Sequence, residues 1–121
     1  MNGTIVVMPQ RFHYVLNTTW NTAGTININA SYISRLNLTL DTGGNVSGWA
    51  FTGIPASGTE YELRLYISIN GGTISSWPTG TVWPSGVAPT LTTVSGKVDI
   101  ISLITINGGT GWIGSVIGQN Y

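Results

Sequence analysis

The chain is predicted to be all-β: an antiparallel β-sandwich or small barrel, built from Gly-Gly hairpins. Three observations lead there. Apolar and polar residues alternate along most of the 121 residues, which is the period of a half-buried strand. Seventeen Gly and five Pro break the chain into short pieces, spaced about every ten residues as in small sandwiches and barrels. Only 7% of residues are charged, against ~25% in an average soluble domain. A free monomer with so little charge has weak repulsion from its copies, so much of the surface is expected to be covered by copies of itself or by other proteins.

The length suits one domain spanning residues 1–121. Residues 1–20 are the least regular and are read as an N-terminal arm lying on a neighbour, with Arg11 and His13 as its contact residues. Ile26, Ile28 and Ala30 then share one strand face, opposite Thr25, Asn27, Asn29 and Ser31. Leu36, Leu38 and Leu40 alternate with Asn37, Thr39 and Asp41, and Leu63, Leu65, Ile67 and Ile69 with Glu62, Arg64, Tyr66 and Ser68. An internal echo links three places. Ile67-Ser68-Ile69-Asn70-Gly71-Gly72-Thr73 recurs as Ile104-Thr105-Ile106-Asn107-Gly108-Gly109-Thr110, and more loosely as Leu38 to Asn45 around Gly43-Gly44. A Trp follows each copy: Trp77, Trp112 and Trp49. Asn-Gly and Gly-Gly supply the positive φ angles of tight turns, so each copy is read as a hairpin. Trp77 to Pro89 carries Pro78, Pro84 and Pro89; with no N–H at those positions it is expected to be an ordered excursion with at most a short edge strand near Thr81 to Trp83. From Val98 to Ile106 apolar residues fall on both faces, so this strand is expected to be covered by the second sheet and by a neighbouring subunit. Lys97 and Asp99, two apart, are expected to project to one face and to pair with charges nearby or across a subunit boundary.

Several chemistries are disfavoured. There is no Cys and only one His, which removes thiolate and multi-histidine metal sites within one chain. Four scattered cations (Arg11, Arg35, Arg64, Lys97) make no basic stripe for phosphates, and no apolar run approaches the ~20 residues of a membrane helix. Neither nucleic acid nor membrane is expected as a partner, and no cofactor is implied. Glu60 and Glu62 share a strand parity, and paired carboxylates serve glycoside hydrolysis. Glu60 directly follows Ala56-Ser57-Gly58-Thr59, however, so the pair is placed at a solvated strand start. No nucleophile-elbow sequence is present, and neither a Lys nor a helix start follows Gly71-Gly72. The chain is therefore read as not an enzyme. Trp77, Trp83 and Trp112 form either core and subunit contacts or a platform for sugar rings. The candidate contact residues are Arg11, His13, Trp83, Pro84, Lys97, Asp99, Ile101, Leu103 and Trp112.

Trp83-Pro84-Ser85-Gly86-Val87-Ala88-Pro89-Thr90-Leu91-Thr92, then Gly96-Lys97-Val98-Asp99-Ile100, then Asn107-Gly108-Gly109-Thr110 and Trp112, resembles the C-terminal part of small virion proteins and fibre-tip domains of tailed bacteriophages. The resemblance covers roughly Leu63 to Gly114. It implies a β-rich domain that assembles as a homotrimer on the virion, and it carries over no catalytic residue. A fibre needs a stalk and an anchor, which 121 residues do not offer. The expected role is thus a capsid decoration, or cement, protein on the outer surface of the shell. Its partners are itself and the major capsid protein, and it stabilises the shell by binding the assembled state. The alternative is a receptor-binding tip or lectin-like module of a tail or head fibre, with host polysaccharide as its partner.

Overall fold

Leu36, Leu38 and Leu40 point to one side of their strand and are fully buried, as are Leu63 and Leu65 two strands on. What brings these rows together is a winding of the chain. A computed structural model describes residues 14–121. The strands in chain order are β1 (Tyr14–Trp20), β2 (Ala23–Asn29), β3 (Ile33–Asp41), β4 (Asn45–Thr52), β5 (Tyr61–Asn70), β6 (Thr73–Ile74), β7 (Thr81–Val82), β8 (Asp99–Thr105) and β9 (Trp112–Gly118). Odd and even members of the first six go to different sheets. A six-stranded sheet has the order β1-β3-β5-β8-β9-β7, and a three-stranded sheet the order β2-β4-β6. The pairs β1–β3, β3–β5, β2–β4 and β4–β6 are all parallel. The chain therefore coils: one strand in the larger sheet, a turn, one strand in the smaller sheet, then back to begin the next rung.

The register stacks like on like. Leu36 lies beside Leu65, Leu38 beside Ile67 and Leu40 beside Ile69. Ile26 and Ile28 of the smaller sheet face the same core as these rows. Burying a side chain of this size is worth about 1.5–3 kcal/mol, so the stacked rows are the main cohesive element.

This corrects the antiparallel, hairpin-built expectation. The all-β class holds, but the sheets are mixed. Two of the three Gly-Gly turns, after β3 and after β5, carry the chain from one sheet to the other and do not fold a strand back on its neighbour. Only Gly108-Gly109 lies within a hairpin, between the antiparallel β8 and β9. The turn chemistry was read correctly, since Gly43 (φ +86°) and Gly71 (φ +95°) do take positive φ. Sheet-to-sheet turns need that angle as much as hairpins do. The second glycine of each pair has another reason. A Cβ on Gly72 would stand 2.7 Å from the Asp41 carbonyl oxygen and 2.8 Å from Leu40 Cβ, and one on Gly44 would stand 2.2 Å from the Trp20 carbonyl oxygen. Each rung rests on the glycine of the next.

Two further expectations change. The arm assigned to residues 1–20 is partly strand: Tyr14–Trp20 pairs along β3, while Arg11 and His13 lie outside the described residues. And β8 is not apolar to the core on both faces. It adds antiparallel to β5, closing the coil, with Asp99, Ile101, Leu103 and Thr105 buried and Ile100 and Ile104 only half-buried. The Trp-Pro excursion matches its reading. Thr81–Val82 is a two-residue edge strand, and Pro84–Gly86 forms a 3₁₀ turn after an extended Trp83. The ring of Trp83 lies over β9 where Gly114 leaves room, since a Cβ there would sit 2.5 Å from the ring.

Gly72→Ala should lower stability by about 1–3 kcal/mol through overpacking alone, because its φ is not in the left-handed region. Thermal or urea unfolding checks this, and an unchanged midpoint would contradict the close stacking of rungs.

Candidate interaction surface

The two sheets present very different outer faces. The outer face of the smaller sheet exposes Thr25, Asn27, Asn29, Ser47 and Thr52, all neutral and polar, which is an ordinary solvated surface. The outer face of the larger sheet alternates with the buried rows, and its half built from β5, β8, β9 and β7 is the apolar one. Across it, Glu62 pairs with Ile104, Ile104 with Ile113, and Ile113 with Val82. Ile113 is 55% exposed, Val82 61% and Ile106 55%. Ile104, Ile106, Ile113 and Val82 also line a hollow of about 270 Å³. Apolar side chains gathered in this way on an exposed face make the strip a candidate contact surface.

A polar cluster sits beside the strip. The Ser102 hydroxyl donates to Glu62 Oε2 at 2.6 Å, and Arg64 Nη2 stands 3.2 Å from the same oxygen. The bond from Ser102, with help from Arg64, holds the Glu62 carboxyl below its ordinary range against the opposing effect of burial. A carboxyl held ionised is poorly suited to act as a general acid. Its sequence companion Glu60 is exposed in the turn before β5.

The residues expected to make contacts are mostly used elsewhere. Ile101 and Leu103 are fully buried and Trp112 is 2% exposed, so all three belong to the chain's own core. A surface role on this strand falls instead to Ile100 and Ile104. Lys97 is exposed in the turn before β8, whereas Asp99 is 1% exposed and points inward, so the two do not share a face. Asp99 is a structural clasp. Its carboxylate accepts from the Thr92 N–H (2.6 Å), the Asn120 N–H (2.9 Å) and Gln119 Nε2 (3.0 Å). It thereby ties the loop before β8 to the end of the chain. Burial works to raise its pKa, and these bonds together outweigh it, leaving the pKa lowered. Pro84 is exposed and Trp83 half-buried.

The aromatic residues do gather. Trp49 stacks on Phe51 (6.5 Å, 9°) and on Trp77 (6.1 Å, 11°), Trp77 meets Trp83 edge-on (5.1 Å), and Phe51 contacts Trp112 (4.7 Å). They pack against the core, around β4, the strand whose one side β6, only two residues long, leaves mostly unpaired. Trp49 is further held by its Nε1, which donates to the Ser76 carbonyl at 2.8 Å. The rings thus spend their faces on one another.

Comparison of the chain with models of protein families, with curated proteins and with solved structures gives no match. The surface is therefore interpreted from its own chemistry.

Asp99→Asn should cost about 1–3 kcal/mol near neutral pH, because an amide cannot accept from all three donors. Since the folded-state pKa values of Asp99 and Glu62 are lowered, their stabilisation is complete above the unfolded carboxylate range of about 4 and is lost as pH falls through the folded values. The wild type should weaken over that acid interval, and the Asp99→Asn variant should weaken less. Unfolding curves measured between pH 7 and 2 check both.

Proposed function

We propose that the protein is a structural, non-enzymatic subunit of a bacteriophage virion: a capsid decoration protein that sits on the outer surface of the shell, binds the major capsid protein and associates with itself as a homotrimer. The observation that carries the self-association is the apolar strip Val82, Ile113, Ile104 and Ile106 on the outer face of the larger sheet, set against a wholly polar face on the other side. Interface cores are apolar and poor in charge, and this strip has that composition. The near absence of charge over the whole chain points the same way. The assignment to a virion rests on the resemblance of the Leu63 to Gly114 region. Such a protein works by contact area: it binds the assembled shell and not its separated parts, so the assembled state gains stability by mass action.

A second reading, a receptor-binding tip or lectin-like module recognising host polysaccharide, draws on a hollow of about 240 Å³ lined by Trp49, Phe51, Pro78, Thr79 and Trp112. It ranks lower because the stacked rings offer edges there more than open faces. Binding of host polysaccharide by the isolated protein, lost in Trp49→Ala, would raise it above the first.

Ile113→Asp should leave the fold intact, since the residue is 55% exposed, yet shift the protein from trimer to monomer by sedimentation. Removing the protein from purified particles should lower their resistance to heat and osmotic shock. A wild type that is monomeric both free and on particles, or particles equally resistant without it, would overturn the proposal.

A further inference from the structure

The parallel register of β3 and β5 sets Arg35 directly beside Arg64 on the outer face of the larger sheet. Two of the chain's four cations are spent there, and like charges directly opposite each other destabilise a sheet. Within the chain the pair is under-satisfied. Glu62 is the acid that meets it, through Arg64 Nη2, and its oxygen is already shared with Ser102. Arg35 Nη1 donates to the Ser34 carbonyl at 2.8 Å, next to it in sequence. Arg64 Nε is buried with no acceptor among the described residues. Ile100 and Ile104 flank the site, paired with Tyr66 and Glu62. Arg64 also bonds the Tyr66 side chain, and among the described residues Glu62 is the one carboxylate that meets the two guanidinium groups, in a frame that holds Ser102 as well as Ile100 and Ile104. Covering the frame would make an unneutralised cation costly. A local rule broken at the edge of a contact surface points to a partner that completes it.

We infer that the Arg35–Arg64 pair takes a carboxylate from a second copy of this chain, and that Glu60 supplies it. Among the described residues the carboxylates are Asp41, Glu60, Glu62 and Asp99. Glu62 and Asp99 are engaged within the chain, and Asp41 accepts from Asn70 Nδ2 at 3.5 Å. Glu60 is exposed on the turn before β5 and makes no ion pair among the described residues. Glu62 stands between it and Arg64 on the same strand face, so the pairing runs between copies and not within one. The Arg pair and the turn carrying Glu60 are different patches. Contact between different patches is the head-to-tail type that closes into a ring such as a trimer.

This inference rests on the self-association proposed above, and charge reversal separates the two. Arg35→Glu and Glu60→Arg should each weaken assembly of the full chain at least about tenfold, and combining them should recover most of the loss, as for directly coupled charge pairs. Arg35→Glu should melt no lower than the wild type, because it removes the repulsion with Arg64, so its loss of assembly would not reflect misfolding. Sedimentation equilibrium over a range of protein concentrations reads all three. If the single variants assemble like the wild type, or the double variant is no better than they are, the Glu60 pairing is wrong. Should Ile113→Asp still dissociate the protein in that case, the apolar contact stands without it. A wild type that never self-associates would overturn both.

Discussion

The stacking of Leu36, Leu38 and Leu40 on Leu65, Ile67 and Ile69 is the constraint from which the rest of the structure follows. Strands in a sheet lie about 4.8 Å apart, so these rows touch along their whole length when successive rungs keep this register. A slip of one residue would turn every leucine of β3 outward and every Asn or Thr inward. Once that register is set, the turns between sheets must stack as well. There the backbone of one rung comes so close to the next that Gly44 and Gly72 admit no side chain. The same register fixes the outer face, including the placing of Arg35 against Arg64.

The coil is finished differently at its two ends. Beyond β5 the antiparallel β8 and β9 take over, and their inward residues Ile101, Leu103 and Trp112 extend the core. Asp99 then locks the loop before β8 and the end of the chain to the start of that strand. Before β3 the first rung, β1 and β2, supplies the outermost described strand of each sheet. Leu16 lies beside the fully buried Leu36 yet is 37% exposed, and Trp20 keeps its Nε1 without a partner among the described residues. The margin thus keeps an unsatisfied Trp20 Nε1, while Leu36, Leu38, Leu63 and Leu65 of the two central strands are fully buried.

Strand positions were legible in the sequence because alternation is a local property. Ile26 and Ile28, the three leucines of β3, and the four apolar residues of β5 all face inward as the period requires. The pairing direction was not legible, because alternation is the same in parallel and antiparallel sheets and Gly-Gly serves both kinds of turn. A clue lay in the echo itself. Repeats that stack like on like are the mark of a coil, and Leu36/Leu65 and Arg35/Arg64 are such matches. The contact surface was half legible. Apolar residues on both faces of Val98 to Ile106 announced two buried or covered sides, but this strand alone does not say which is which. The neighbour decides it: Glu62, Arg64 and Tyr66 must face outward, and they pair with Ile104, Ser102 and Ile100. Ile101 and Leu103 are therefore core, and the surface belongs to the alternate set.

The central claim is that the outer face of the larger sheet is covered in the working assembly and that of the smaller sheet is not. The chain has no Cys, so single cysteines at Ile104, at Ile113 and at the exposed Ser47 of the smaller sheet report each face without interference. Thiol labelling rates, measured on the assembled protein and again after dilution to monomer, test the claim directly. Protection of positions 104 and 113 in the assembly alone, with position 47 labelling fast in both states, is the predicted result. Equal labelling of all three in the assembly would contradict the account.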